Sequence, residues 1–299
     1  MKVAITGATG FIGRHLTANL IEHGHEVMAL VRTPDHGIAS HTGLTVCPIG
    51  ATGEGLEGVM DAGHPEVVVH LAAHYVAEHV PQDIPALIDG NLGFGTRVLE
   101  SMANSGCHHL VTLGSCWQFG DAPVNLYAAL KNAFIDVAAF YRSAHGLRVV
   151  ELALYDSYGP GDPRAKLIPL LLRAATTGQI LDLSPGEQRL HLVHIQDLCR
   201  AIELAAVRLQ DAGSGDHETY RLPSAQAHTL RDIVACFNAV GPQDQPANVR
   251  WGARPYRDRE VMHPWEDGPI LPGWQPAIPL AEGLRDVRKH YAGTMTRSP

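Results

Sequence analysis

No apolar run in this 299-residue chain approaches the roughly 18 to 20 residues needed to cross a bilayer, so no membrane anchor is expected. Positive charge is scarce too. The 23 Lys and Arg against 31 Asp and Glu leave a formal net charge of −8 at pH 7, which offers no broad basic field to nucleic acid or an anionic membrane. An anionic ligand would have to be held by local Arg or Lys. Cysteine is sparse, with Cys47, Cys107, Cys116, Cys199 and Cys236 forming an odd set of five without repeated C-x-x-C spacing. That pattern suits reduced thiols and argues against a disulfide framework. The start, Met1 to Thr6, lacks an apolar h-region and cleavage site, so a cytoplasmic protein is expected. Histidine is plentiful, at 18 residues. Yet His70, His74 and His79 fall across a strand-like run and the loop after it, without a partner cluster of thiolates or carboxylates, and no metal site is expected.

What remains is an ordinary globular composition, 45% hydrophobic and 18% charged, with enough chain for one large and one smaller domain. The first half alternates apolar β-rich runs (Val3 to Thr6, Glu26 to Val31, Val67 to Leu71, Leu110 to Leu113, Arg148 to Leu154) with helical patterns (Phe11 to about His23, Leu87 to Ala103, Tyr127 to His145). This alternation predicts an α/β fold, a doubly wound parallel sheet with helices on both faces. After Tyr158 the stretch Gly159-Pro160-Gly161-Asp162-Pro163 stops any regular element. A strand over Leu190 to Ile195 and a helix over Gln196 to Leu209 follow. The expected division is 1–155 with 189–212 as a dinucleotide-binding Rossmann domain, and 156–188 with 213–299 as a smaller substrate-binding domain. Thr294 to Pro299 read as a loose tail.

Gly7-Ala8-Thr9-Gly10-Phe11-Ile12-Gly13 lies between the first strand and the first helix. Small residues there let backbone approach a pyrophosphate at the positive end of a helix; a plain glycine turn is the bland alternative. The spacing is G-x-x-G-x-x-G, and in this position it resembles the extended short-chain dehydrogenases/reductases, which implies a Rossmann-type fold and a bound NAD or NADP. An acid after the second strand would favour NAD, whereas Arg accommodates a 2′-phosphate. Leu30-Val31-Arg32-Thr33 has no acid before Asp35. NADP is therefore expected, with Arg32 on its phosphate, NAD remaining possible if Arg32 only stacks on adenine or faces solvent. His70-Leu71-Ala72-Ala73-His74 resembles the family's H-x-A-A segment, placing Leu71, Ala72 and Ala73 beneath the cofactor and His74 towards the substrate. Asn91 to Thr96 resembles its N-x-x-G-T motif, which makes Asn91 structural.

Tyr127 and Lys131, four residues apart on a helical pattern, share one face. An ammonium beside a phenol is expected to lower the phenol's pKa, making Tyr127 a general acid/base. Alone, Y-x-x-x-K is a common surface pair. Ser115, however, ends the preceding strand in Leu113-Gly114-Ser115-Cys116-Trp117-Gln118-Phe119-Gly120, which resembles the family's S-x-x-x-Y-G segment with Phe119 in place of Tyr. The resemblance makes Ser115, Tyr127 and Lys131 the catalytic group and has Lys131 also bind the nicotinamide ribose.

The resemblance leaves the reaction open among epimerases, dehydratases, reductases and decarboxylases. Dehydratases of nucleotide sugars carry Asp-Glu after the catalytic Thr; Cys116-Trp117 here argues against dehydration. In the epimerase-reductase that makes GDP-fucose a catalytic Cys fills the slot held here by Trp117, and its acid His fills that of Lys166, before Leu167-Ile168-Pro169. Trp117 and Lys166 are accordingly expected near the substrate, a solvated helix-start lysine being the alternative for Lys166. Asp156-Ser157-Tyr158-Gly159-Pro160 resembles N-x-Y-G-P with Asp156 for Asn. In the run to Asp197, Leu190 holds the usual Arg slot and Arg189 lies one place early. Arg254 and Arg257, before Glu260-Val261 and Leu271 to Pro276, resemble the family's diphosphate-gripping segment. Taken together these features point to NADPH-dependent reduction of the keto group of a nucleotide-activated 4-keto-6-deoxysugar. Rival readings are an NAD-dependent nucleotide-sugar 4-epimerase, a non-catalytic dinucleotide sensor, and a reductase of a non-sugar ketone or aldehyde. The resemblance also implies a homodimer through the helices at 87–103 and 127–145.

Overall fold

The computed structural model describes residues 1–33, 37, 38, 40–211 and 217–295, the last three as helix backbone; Asp35 and residues 296–299 lie outside the described residues, and Thr294 and Met295, expected in a loose tail, continue the last helix. In chain order the elements are β1 (Lys2–Thr6), α1 (Phe11–Glu22), β2 (Glu26–Val31), β3 (Leu44–Pro48), α2 (Leu56–Gly63), β4 (Val67–His70), α3 (Ile84–Ile88), a π-helical turn (Asp89–Gly93), α4 (Phe94–Ser105), β5 (His109–Ser115), α5 (Leu126–His145), β6 (Arg148–Leu154), β7 (Asp156–Tyr158), α6 (Leu167–Thr177), β8 (Leu181–Asp182), β9 (Arg189–Leu190), β10 (Leu192–His194), α7 (Ile195–Gln210), β11 (His217–Leu222), β12 (His228–Thr229), α8 (Leu230–Ala239), β13 (Val249–Arg250) and α9 (Leu280–Met295). Among the described residues no helix is long and apolar enough to cross a membrane.

The chain forms two units, one of Met1–Leu154, Cys199–Arg221 and Asp267–Trp274, the other of Tyr155–Leu198, Leu222–Glu266 and Gln275–Pro299. Relative to the division read from the sequence, residues 189–198 sit in the second unit, and 217–221 and 267–274 in the first. The short strands β9 and β10 explain the first difference, since they pair with β12 and β7 of the second unit.

The first unit is a Rossmann-type sheet in the order β11-β6-β5-β4-β1-β2-β3. β1 pairs in parallel with β2 and β4, β2 with β3, β4 with β5 and β5 with β6. Five of these six strands are runs of Val, Ile, Leu and Ala buried on both faces, as helices on each side demand. The strand order reverses between β1 and β4, the crevice where this architecture takes its ligands. The helix expected over 87–103 is three pieces. Gly90 and Gly93 weaken it, and a Cβ at Gly90 would lie 2.8 Å from His74 Cβ, so the turn widens around Asn91. On the neighbouring helix, Phe134 is buried against α4 where Gly95 has no side chain, a Cβ there lying 2.6 Å from the ring. Asn125 caps α5, its Oδ1 accepting the Ala128 N–H at 2.9 Å, and thereby sets Tyr127 in the first turn and Lys131 one turn on.

The second unit packs Tyr158, Ile168, Leu171, Phe237 and Leu284 into its own core. Its strands are two or three residues long. The strand expected over 190–195 is divided at His191, β9 pairing with β12 and β10 with β7, and the His191 ring bonds Ser224 and Glu266.

Candidate active site

β1 ends at Thr6 and the backbone turns at Gly7 with φ +70°. A Cβ at Gly7 would stand 2.8 Å from Ala72 N, and one at Gly13 only 2.3 Å from Gly7 O; neither position has room for a side chain. Gly10 N–H donates to Gly7 O at 3.0 Å, and α1 then begins at Phe11 with no side-chain cap and no acid in its first turn. First-turn N–H groups therefore face a cradle suited to a pyrophosphate. Thr9 and Gly10 are exposed, Ile12 is half-buried and Phe11 buried. Arg32 stands exposed just beyond β2.

The floor of this crevice is the end of β4. Thr6 Oγ1 lies 2.8 Å from His70 Nδ1 and accepts the Ala72 N–H at 3.2 Å, which ties the Leu71-Ala72-Ala73 backbone to β1. Burial, and then the charge of Lys131, push the His70 pKa down to about 3; the imidazole is neutral. Asn91 accepts from His74 N–H at 3.2 Å and donates to His74 O at 2.7 Å and Leu87 O at 2.9 Å. It shapes the loop, and exposed His74 is fixed through its backbone.

At the end of β5, Ser115 Oγ accepts the Trp117 N–H at 3.2 Å. Lys131 is 4% exposed, and its Nζ lies 5.7 Å from the centroid of the half-buried Tyr127 ring. Loss of hydration pulls the Lys131 pKa down to about 8, with the charge of Glu151 acting in the opposite direction. The structure reverses the sign expected for Tyr127: burial, and then Tyr75, hold its phenol above the ordinary value, because desolvation of the phenolate outweighs any help from a neighbouring cation. Tyr75 meets Tyr127 edge-on at 5.1 Å and Trp117 at 6.2 Å, so three aromatic rings are gathered at this point.

In the second unit Asp156 and Lys166, both expected near a substrate, pair with each other at 2.8 Å. Arg254 and Arg257 are exposed; the Arg254 N–H donates to Leu183 O at 3.2 Å and the Arg257 N–H to Glu260 at 3.3 Å. Arg189 is turned to Ala227 O, at 2.6 Å. Among the described residues no group of three or more His, Cys, Asp or Glu is placed to hold a metal ion.

The sequence pattern of the NAD dependent epimerase/dehydratase family matches residues 3–220. The chain belongs to this family. It is similar to a CDP-abequose synthase of Yersinia pseudotuberculosis, 31% identical over 269 residues that make up 88% of this chain and 92% of that one. A UDP-glucose 4-epimerase of Corynebacterium glutamicum is 25% identical over 276 residues, 83% of each chain. Among solved structures, MoeE5 in complex with UDP-glucose and NAD superposes with a TM-score of 0.84 at 23% identity, covering 99% of this chain and 100% of that one; at this identity the likeness is one of fold.

As a member of the epimerase/dehydratase family the protein is an NAD(P)-dependent oxidoreductase of the extended short-chain type. Several bonded or stacked residues of each unit were not anticipated. Tyr75 lies in a loop, where no periodicity marks it. Gln118 and Glu151 are buried together, Nε2 of one donating to Oε1 of the other at 2.8 Å. Glu151 did carry a signal, as the lone acid in the apolar run Val149-Val150-Glu151-Leu152. In the second unit, buried His191 bonds Glu266 at 2.7 Å and Ser224 at 2.9 Å.

Proposed function

We propose that this enzyme reduces the keto group of a nucleotide-activated 4-keto-6-deoxysugar with NADPH. The observation that carries the reading is a buried lysine ammonium beside the Tyr127 phenol, one turn into a capped helix. When bound, the nicotinamide supplies the hydride. Gly7, Thr9, Gly10, Phe11, Ile12 and Gly13 hold its pyrophosphate at the start of α1, and Leu71, Ala72 and Ala73 line the floor. Exposed Arg32 takes the 2′-phosphate, which favours NADPH. Tyr127 donates its proton to the carbonyl oxygen while Ser115 hydrogen-bonds the same atom. A phenol held above its ordinary pKa suits this direction, since a reduction needs the proton in place. Lys131 keeps positive charge where phenolate forms and contacts the nicotinamide ribose.

The substrate class draws on the CDP-abequose synthase relative and on local positive charge in an anionic chain. Arg254 and Arg257 are the proposed diphosphate ligands, and Asp156, Lys166, His74 and Trp117 the proposed contacts to the sugar or nucleotide. The active enzyme is a homodimer through α4 and α5, the latter presenting Phe140 at 61% exposure, in the cytoplasm, where its free cysteines stay reduced.

The experiment is loss of NADPH absorbance on adding a CDP-linked 4-keto-6-deoxyhexose. Turnover with free NADPH supports the reading, and no oxidation of NADPH with CDP-, dTDP- or UDP-linked ketosugars refutes it. The epimerase relative favours one rival, a 4-epimerase. That enzyme would retain NAD, released only on denaturation, and interconvert UDP-sugars without net cofactor consumption.

A further inference from the structure

We propose that Glu151 is a positioning residue of the active site, its buried carboxylate supplying the counter-charge for Lys131 and, through Gln118, anchoring the strand end that carries Ser115. The inference rests on Tyr127 and Lys131 being the catalytic pair. Glu151 projects from the centre of β6 and is 3% exposed. Each of its oxygens has a donor: Oε1 accepts from Gln118 Nε2 at 2.8 Å and Oε2 from the Thr219 hydroxyl at 3.1 Å. Gln118 is saturated in turn, its second amide proton going to Asn132 Oδ1 at 3.0 Å and its own Oε1 accepting the Ser115 N–H at 2.6 Å. Space for this chain of bonds is made by Gly114, where a Cβ would stand 2.6 Å from both Gln118 Oε1 and Glu151 Oε1.

An acid in the middle of a parallel sheet is costly unless a charge needs it. Here one does. Lys131 is buried too: its Nζ lies 5.7 Å from the Tyr127 ring centroid, its charge acts on His70 of β4, and among the described residues Glu151 of β6 is the acid whose charge acts on it. The charge of Lys131 on α5 acts on Glu151, and the Thr219 hydroxyl that bonds Glu151 also lies 3.4 Å from His217 Nε2, whose pKa is lowered by burial and by Arg142. Burial raises the Glu151 pKa, while Gln118, Thr219 and Lys131 pull it down. Removing the carboxylate leaves the Lys131 ammonium with burial alone acting on it, so its proton is lost at lower pH.

The chain has four lysines, Lys2, Lys131, Lys166 and Lys289, so 13Cε-lysine labelling gives a resolvable NMR spectrum. Titrating the protein should show the Lys131 signal moving with a midpoint near pH 8, and Glu151→Gln should bring that midpoint down by about one pH unit. The alkaline limb of kcat/KM should move with it while KM stays near the wild-type value. An unchanged midpoint in Glu151→Gln overturns the proposal. If that variant does not fold, Glu151→Asp keeps the charge but withdraws it by a methylene, and should give a smaller downward shift; no shift overturns the proposal equally. Failure of the underlying catalytic reading is a separate result, undiminished turnover by Tyr127→Phe.

Discussion

Ser115, His70 and Lys131 each do something that their residue type alone would not require. If Ser115 steadies the developing oxyanion, Ser115→Ala should lower kcat by about 100-fold with little change in KM, as steady-state NADPH oxidation would show. Lys131, deprotonating near pH 8, should impose a fall in kcat/KM above that pH. His70 acts on stability. Its pKa is 6.5 in the ordinary state and about 3 in the fold, so between these values the unfolded chain binds the proton and the native chain does not. Stability from this group is complete above pH 6.5 and declines as pH falls towards 3, by about 1.4 kcal/mol per pH unit. Urea unfolding at pH 7 and pH 5 should show this slope, reduced by that amount in His70→Asn. At this scale the spacing of Tyr127 and Lys131 on one helix was legible, whereas the sign of the Tyr127 pKa depended on burial that no spacing encodes.

Elements place these groups, and glycine does much of the placing. Gly7→Ala would put a Cβ at φ +70° against the Ala72 backbone. A loss of about 1–3 kcal/mol in stability and a weaker NADPH Kd should follow, measured by denaturation and by fluorescence titration. Phe134→Ala on α5 should cost about 3–5 kcal/mol and loosen the helix that carries Tyr127 and Lys131. Five of the strands from β1 to β6 were readable because long apolar strands and glycine-bounded helices impose strong periods, and β2 and β6 begin and end where the residues predict; β3 and α2, with only one and two buried residues, were not read. The second unit was hardly readable. Strands of two or three residues carry no period, and the apparent strand at 190–195 concealed a break at His191. Likewise the helix read over 87–103 hid a wide turn that only the bonds of Asn91 to His74 and Leu87 explain.

For the whole molecule, membership of the epimerase/dehydratase family establishes an NAD(P)-dependent oxidoreductase, and the proposed reduction, substrate and dimer belong to this chain's own residues. Phe140→Glu on α5 should convert a dimer to monomer in analytical ultracentrifugation, and a wild-type sedimentation value in that variant would exclude the interface. The claim on which the rest depends is that Tyr127 delivers the proton. Single-turnover oxidation of NADPH by Tyr127→Phe with a CDP-linked 4-keto-6-deoxyhexose tests it most directly. The account predicts intact NADPH binding and a rate reduced by about 1,000-fold; a Phe variant that reduces the ketosugar at the wild-type rate would contradict it.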